Sequence, residues 1–132
     1  MQFQHMRIAR PVQNLERSCQ MYSLGLGLNK IGEFIDHHGF SGVMLGYKDL
    51  QWHLEFTQCL DHPILPQQTL DDLLVLYISD QLEWEKTCQN MLKSGFKKVS
   101  SFNPYWDING QTFIDQDGYR TVLQNQRWTN DN

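Results

Sequence analysis

Apolar and polar positions alternate in short runs, interrupted twice by stretches of helical spacing, and the same plan occurs in both halves of the chain. Leu15, Cys19, Tyr22 and Leu26 stand at i, i+4, i+7 and i+11, which places them on one face of a helix. Asn14 is a capping residue type at its start, and Gly25 and Gly27 suit its exit. Trp84, Cys88, Met91 and Leu92 form a second stripe, opened by Asp80 and Glu83 in a capping-box-like arrangement. Strands are predicted over residues 7–12, 28–36, 42–47 and 51–58, separated by turn residues at Gln13-Asn14, His37-His38-Gly39 and Lys48-Asp49. In the second half they are predicted over 73–79, 96–100, 112–115 and 119–125. Phe102 to Asp107 reads as an aromatic loop, Asn109-Gly110 as a turn, and Asp117-Gly118 as the turn of a hairpin. Leu15 and Leu82 are 67 residues apart, as are Trp52 and Tyr119. The order strand, helix, three strands is therefore expected twice, in modules of about residues 5–58 and 70–126. Residues 59–69 join them, with Pro63 and Pro66 each removing a ladder donor.

Composition narrows the class. A hydrophobic fraction of 40% in 132 residues is enough for one globular domain with a core. The formal net charge of −4 argues against a nucleic-acid partner, because nothing in it would neutralise a phosphate backbone. No apolar stretch has the length of a membrane span or the form of a signal segment, so no membrane partner is expected. Cys19, Cys59 and Cys88 are odd in number and widely spaced, which reads as reduced thiols in a cytoplasmic protein.

Several motifs carry a family resemblance. They are Arg10-Pro11-Val12, Asn14-Leu15-Glu16-Arg17-Ser18, Tyr22 and Gly25-Leu26-Gly27-Leu28 in the first half. In the second they are Gly110-Gln111-Thr112-Phe113 and Asp115-Gln116-Asp117-Gly118-Tyr119-Arg120. The chain resembles the vicinal oxygen chelate superfamily of glyoxalases, bleomycin-resistance proteins and extradiol dioxygenases. His53 to Thr57, Asn103 to Asp107 and Leu123-Gln124-Asn125 are similar to a branch of YycE-like bacterial proteins. The resemblance implies an α+β fold of two βαβββ modules, with a curved mixed sheet around a cup-shaped site for a small molecule. It also implies a homodimer.

Enzymes of this superfamily hold a divalent ion on ligands from equivalent strands of the two modules. Carried onto this chain, those positions fall on Arg7, Glu55, Leu73 or Leu74, and Val122. Only Glu55 offers a donor, and a catalytic metal site needs about three protein ligands. No cofactor is therefore expected at the family positions. Strand alternation leaves one displaced alternative. His5 shares a sheet face with Arg7, and His53 shares one with Glu55. His5, His53 and Glu55 would make a two-histidine, one-carboxylate set suited to a divalent metal in a glyoxalase- or dioxygenase-like enzyme.

The leading expectation is a metal-independent small-molecule-binding protein. Arg7, His53 and Glu55 form the polar floor of its site, Tyr105 and Trp106 form aromatic walls, and Asn103 or Tyr105 fixes the ligand's orientation. Arg7 would grip an anionic group through its planar donor fork. His53 and Glu55 are also the candidate catalytic pair for metal-free acid–base chemistry. An Arg7–Glu55 ion pair that is only structural stays equally open. His37 and His38 read as turn residues, and His62 as a linker residue.

Overall fold

The computed structural model describes residues 1–131, which fall into two compact units, Met1–Pro66 and the described residues from Gln67 onward. The first unit runs β1 (Met6–Pro11), α1 (Leu15–Leu26), β2 (Asn29–His37), β3 (Phe40–Gly46) and β4 (Trp52–Cys59). Its four strands lie in the order β1-β4-β3-β2. β1 runs parallel to β4, because α1 carries the chain back across the sheet, while β2, β3 and β4 form an antiparallel meander. The β2–β3 turn is tighter than expected. His37 still belongs to β2, and His38 (φ 54°) and Gly39 (φ 84°) form a two-residue turn with both φ angles positive.

α1 starts where Asn14 accepts a hydrogen bond from the Arg17 amide at 3.0 Å, and it ends at Gly27, which adopts φ 71°. The buried face of α1 is Ser18, Met21, Tyr22 and Gly25 rather than the stripe of Leu15, Cys19, Tyr22 and Leu26. Only Tyr22 belongs to both. Hydropathy favours the larger apolar residues, whereas close approach to a sheet favours small ones such as Ser18 and Gly25 directly beneath the helix. Tyr22 packs on Phe56 with ring centroids 4.7 Å apart, and Met21, Val43, Leu45 and Leu54 complete this core. On β4, Leu54 and Phe56 therefore face α1, and the alternating His53 and Glu55 point to the opposite face.

The second unit repeats the plan. β5 (Leu73–Tyr77), α2 (Gln81–Lys93), β6 (Lys97–Val99), α3 (Tyr105–Ile108), β7 (Gly110–Ile114) and β8 (Arg120–Gln124) give the strand order β5-β8-β7-β6. β5 is again parallel to β8. Asp80 caps α2 by accepting from the Glu83 amide at 3.1 Å, and Trp84 Nε1 donates to the Leu123 carbonyl at 2.8 Å. Cys88 and Met91 are buried as expected, but Leu92 lies off the stripe and is exposed. Burial pushes the Cys88 thiol up to about 11, which suits an inert packing residue. None of the three cysteines forms a disulfide.

Two expectations are corrected in this unit. The aromatic stretch is not all loop, since residues 105–108 close one helical turn. Asn109-Gly110 is not a separate turn, because Asn109 caps the end of α3 and Gly110 opens β7. A Cβ at Gly110 would collide with Gln124 Oε1 and the Trp106 carbonyl, so this strand end accepts only glycine. The Asp117-Gly118 hairpin is present, with Asp115 Oδ1 accepting from the Asp117 and Tyr119 amides. No described helix is long and apolar enough to cross a membrane.

Candidate functional site

The parallel register of β1 on β4 sets Arg7 opposite His53 and Ala9 opposite Glu55, all on the face away from α1. Ala9 is too short to screen the Glu55 carboxylate from the longer Arg7 side chain. Arg7 Nε donates to His53 Nε2 at 2.9 Å, and Arg7 Nη1 reaches Glu55 Oε2 at 3.2 Å. His5, just upstream of β1, places Nε2 2.6 Å from His53 Nδ1, with the two rings 4.9 Å apart. Four residues singled out from the sequence, His5, Arg7, His53 and Glu55, are thus gathered into one cluster.

The hydrogen bonds assign the protons. A guanidinium only donates, so His53 Nε2 is the acceptor and neutral His53 carries its hydrogen on Nδ1. That hydrogen is donated to His5 Nε2. Burial, followed by the nearby Arg7 charge and His5, holds the His53 pKa below the ordinary histidine value, against an opposing pull from Glu55. His53 is therefore neutral at pH 7. Its basic lone pair is already used by Arg7, so a role as general base would require that bond to break. The exposures are unequal: the Arg7 side chain is 49% exposed and the Glu55 side chain 10%. Two buried partners thus hold a cation that is about half exposed.

This donor set does not fit a metal ion. His5 and His53 point their nitrogens at each other rather than at a common point, and the remaining His53 nitrogen faces a guanidinium. Among the described residues no three His, Cys, Asp or Glu side chains are grouped so as to hold an ion. As placed here, His5, His53 and Glu55 do not converge on one point as the displaced metal site would require. At the family positions, register now chooses between the two leucines. Leu73 pairs with Arg120 just as Arg7 pairs with His53, so Leu73 is the repeat partner of Arg7. Neither Leu73 nor Val122 carries a donor.

The remaining candidates belong to the second unit or to turns. Asn103 Oδ1 accepts from the Tyr105 amide at 3.1 Å, so its carbonyl serves the local turn before α3. Tyr105 is 51% exposed and meets Trp106 edge-on at 4.9 Å. His37 and His38 are exposed with rings 4.6 Å apart, and His62 is exposed.

One feature of the first unit had no counterpart in the sequence reading. A cleft of about 670 Å³ runs between α1 and β2, lined by Leu15, Cys19, Phe34, Val43 and Gln58 among others, and it shares no residue with the Arg7 cluster. A helix about 10 Å wide cannot cover four strands spaced about 4.8 Å apart, so the flank over an edge strand stays open. Among the described residues the cleft carries one ion pair, Lys30–Glu33 at 2.7 Å, whose side chains are both about half exposed and offer little specificity. The Arg7 cluster is the better candidate site.

Comparison with known proteins gives the family. Residues 6–57 match the YycE-like N-terminal domain and residues 71–125 the YycE-like C-terminal domain. An uncharacterized YycE protein of Bacillus subtilis (strain 168) is 40% identical over 121 residues, covering 92% of this chain and 87% of that protein. The crystal structure of a YycE protein of unknown function from Bacillus subtilis matches with a TM-score of 0.90 at 37% identity, covering 99% of this chain and 96% of that one. Two more distant structures share the fold. Leishmania major glyoxalase I has a TM-score of 0.68 at 19% identity, covering 95% of this chain and 86% of that one. TnmS3, an antibiotic-binding protein from Streptomyces sp. CB03234, has a TM-score of 0.64 at 18% identity, with 91% and 93% covered. The chain belongs to the YycE-like family, and it shares its fold with a glyoxalase I and an antibiotic-binding protein.

Proposed function

We propose that this chain is a small-molecule-binding protein of the glyoxalase and bleomycin-resistance type that binds its ligand without the superfamily's metal ion. The observation that carries the reading is Arg7. Its guanidinium is anchored by His53 and Glu55, yet half of the side chain is exposed to meet a ligand. An anchored donor loses little freedom on binding, which favours affinity. The ligand is an amphipathic molecule with an anionic or strongly accepting group. An antibiotic-binding protein shares the fold. Asn103, Tyr105 and Trp106 are proposed ligand contacts on the second unit, the latter two as its aromatic walls.

The test is a ligand screen by NMR, repeated on Arg7→Gln. Hydrogen bonds to a charged group are worth about 1.5–3 kcal/mol, so affinity should fall by roughly tenfold to a hundredfold with the fold intact. Unchanged affinity rules Arg7 out. Metal independence has its own check, elemental mass spectrometry of untagged protein beside a Glu55→Gln control. The expected result is no stoichiometric transition metal. Near one equivalent, lost in the control, would overturn the reading and direct assays to metal-dependent chemistry.

A further inference from the structure

The cleft between α1 and β2 lies on the α1 side of the sheet, and the Arg7 cluster on the other. Its volume of about 670 Å³ is within the range of small-molecule sites. Leu15 and Cys19, one turn apart on α1, face Val43 and Ile35 of the sheet across it, and Ile35 is 78% exposed. A second hollow of about 280 Å³ adjoins the cleft, since both include Gln13 and Gln58. Leu60, Pro63, Ile64 and Leu65, which follow β4, line that hollow, so the apolar surface continues beyond the cleft itself.

The charges along the cleft do not cancel. Among the described residues its lining carries two carboxylates, Glu16 and Glu33, and one cation, Lys30. Lys30 Nζ donates to Glu33 Oε2 at 2.7 Å, so that pair sums to zero. Glu16 has no hydrogen bond or ion pair among the described residues. It stands in the first turn of α1, where the amino end of the helix contributes roughly half a positive charge, too little to balance a full carboxylate. Gln20, one turn further along α1, adds an uncharged amide beside it. The cleft thus combines an apolar trough with one unbalanced negative charge on its α1 rim. We infer that it binds an amphipathic primary amine. The ammonium group meets Glu16, the apolar body lies against Leu15, Ile35 and Val43, and a longer chain continues toward Leu60 and Ile64. With three N–H groups, an ammonium can donate to Glu16 and to the Gln20 amide oxygen together. The ligand is opposite in charge to the one that Arg7 would hold, and the inference does not depend on that reading. Because Glu16 is exposed, selection is by the sign of the charge and the length of the apolar body rather than by close fit.

The probes are octylammonium, octanol and octyl sulfate, which share one chain and differ in charge. Each is added to the full chain below its solubility or micelle limit. Amide NMR reads binding at α1 and β2 separately from any binding at Arg7. The expected order of affinity at the cleft is octylammonium, then octanol, then octyl sulfate. The step from alcohol to amine should be roughly twofold to fivefold and should shrink as salt is added. Glu16→Gln should remove that step, whereas Ile35→Ala should weaken all three probes. Equal binding of the three, or tighter binding of octyl sulfate, overturns the amine assignment. A step that survives in Glu16→Gln overturns it as well. Absence of any perturbation of α1 and β2 by all three probes overturns the site. The three probes on the wild-type chain decide the matter if a variant fails to fold.

Discussion

His53 is buried to 8% exposure and its two ring nitrogens serve different partners. That arrangement has a consequence for stability. The unfolded chain titrates His53 near the ordinary value of about 6.5, and the folded chain below it. Above the unfolded value both states are neutral and the contribution is fully present. As pH falls, the unfolded state takes up the proton first, and stability is lost down through the folded value. Urea unfolding midpoints should therefore drop as pH falls below about 6.5, and part of that drop should be missing in His53→Gln. The same slope in both proteins would mean that His53 does not carry the effect. Of the residues proposed from the sequence, His5, Arg7, His53 and Glu55 were placeable because strand alternation alone puts i and i+2 on one face. Asn103 was less legible. A polar side chain near a loop reads the same whether it turns the chain or meets a ligand, and here it accepts from the Tyr105 amide.

At the scale of elements, helix starts were the most readable feature because capping is a local interaction. Asn14 and Asp80 both accept from the amide three residues on. Asp80→Ala should cost about 1 kcal/mol, checked by urea unfolding, with no change at the Arg7 cluster. A cost near zero would show that α2 is held by packing alone. Helix faces were less readable. Leu26 and Leu92 fit an apolar stripe by type, but burial centres on Ser18, Met21, Tyr22 and Gly25 in α1 and on Cys88 and Met91 in α2. The angle at which a helix meets its sheet depends on strands far away in sequence. Strand ends shifted by a residue or two for a similar reason, since a strand ends where its partner ends.

For the whole molecule, the two halves have the same strand order and the same parallel pair, as the 67-residue repeat of pattern predicts. The family resemblance implies a homodimer. Light scattering should then give about twice the 15.6 kDa chain mass, whereas a clean monomer at micromolar concentration would remove that expectation. Element order, the module repeat, the caps and the family resemblance were all within reach of the sequence, because each depends on neighbours within a few turns or on a repeated pattern. The hydrogen bonds from Arg7 to His53 and from His53 to His5, the choice of Leu73 over Leu74 and the cleft beside α1 were not. Each depends on strand register and side-chain direction across more than forty residues of chain, which only long-range hydrogen bonding and packing establish.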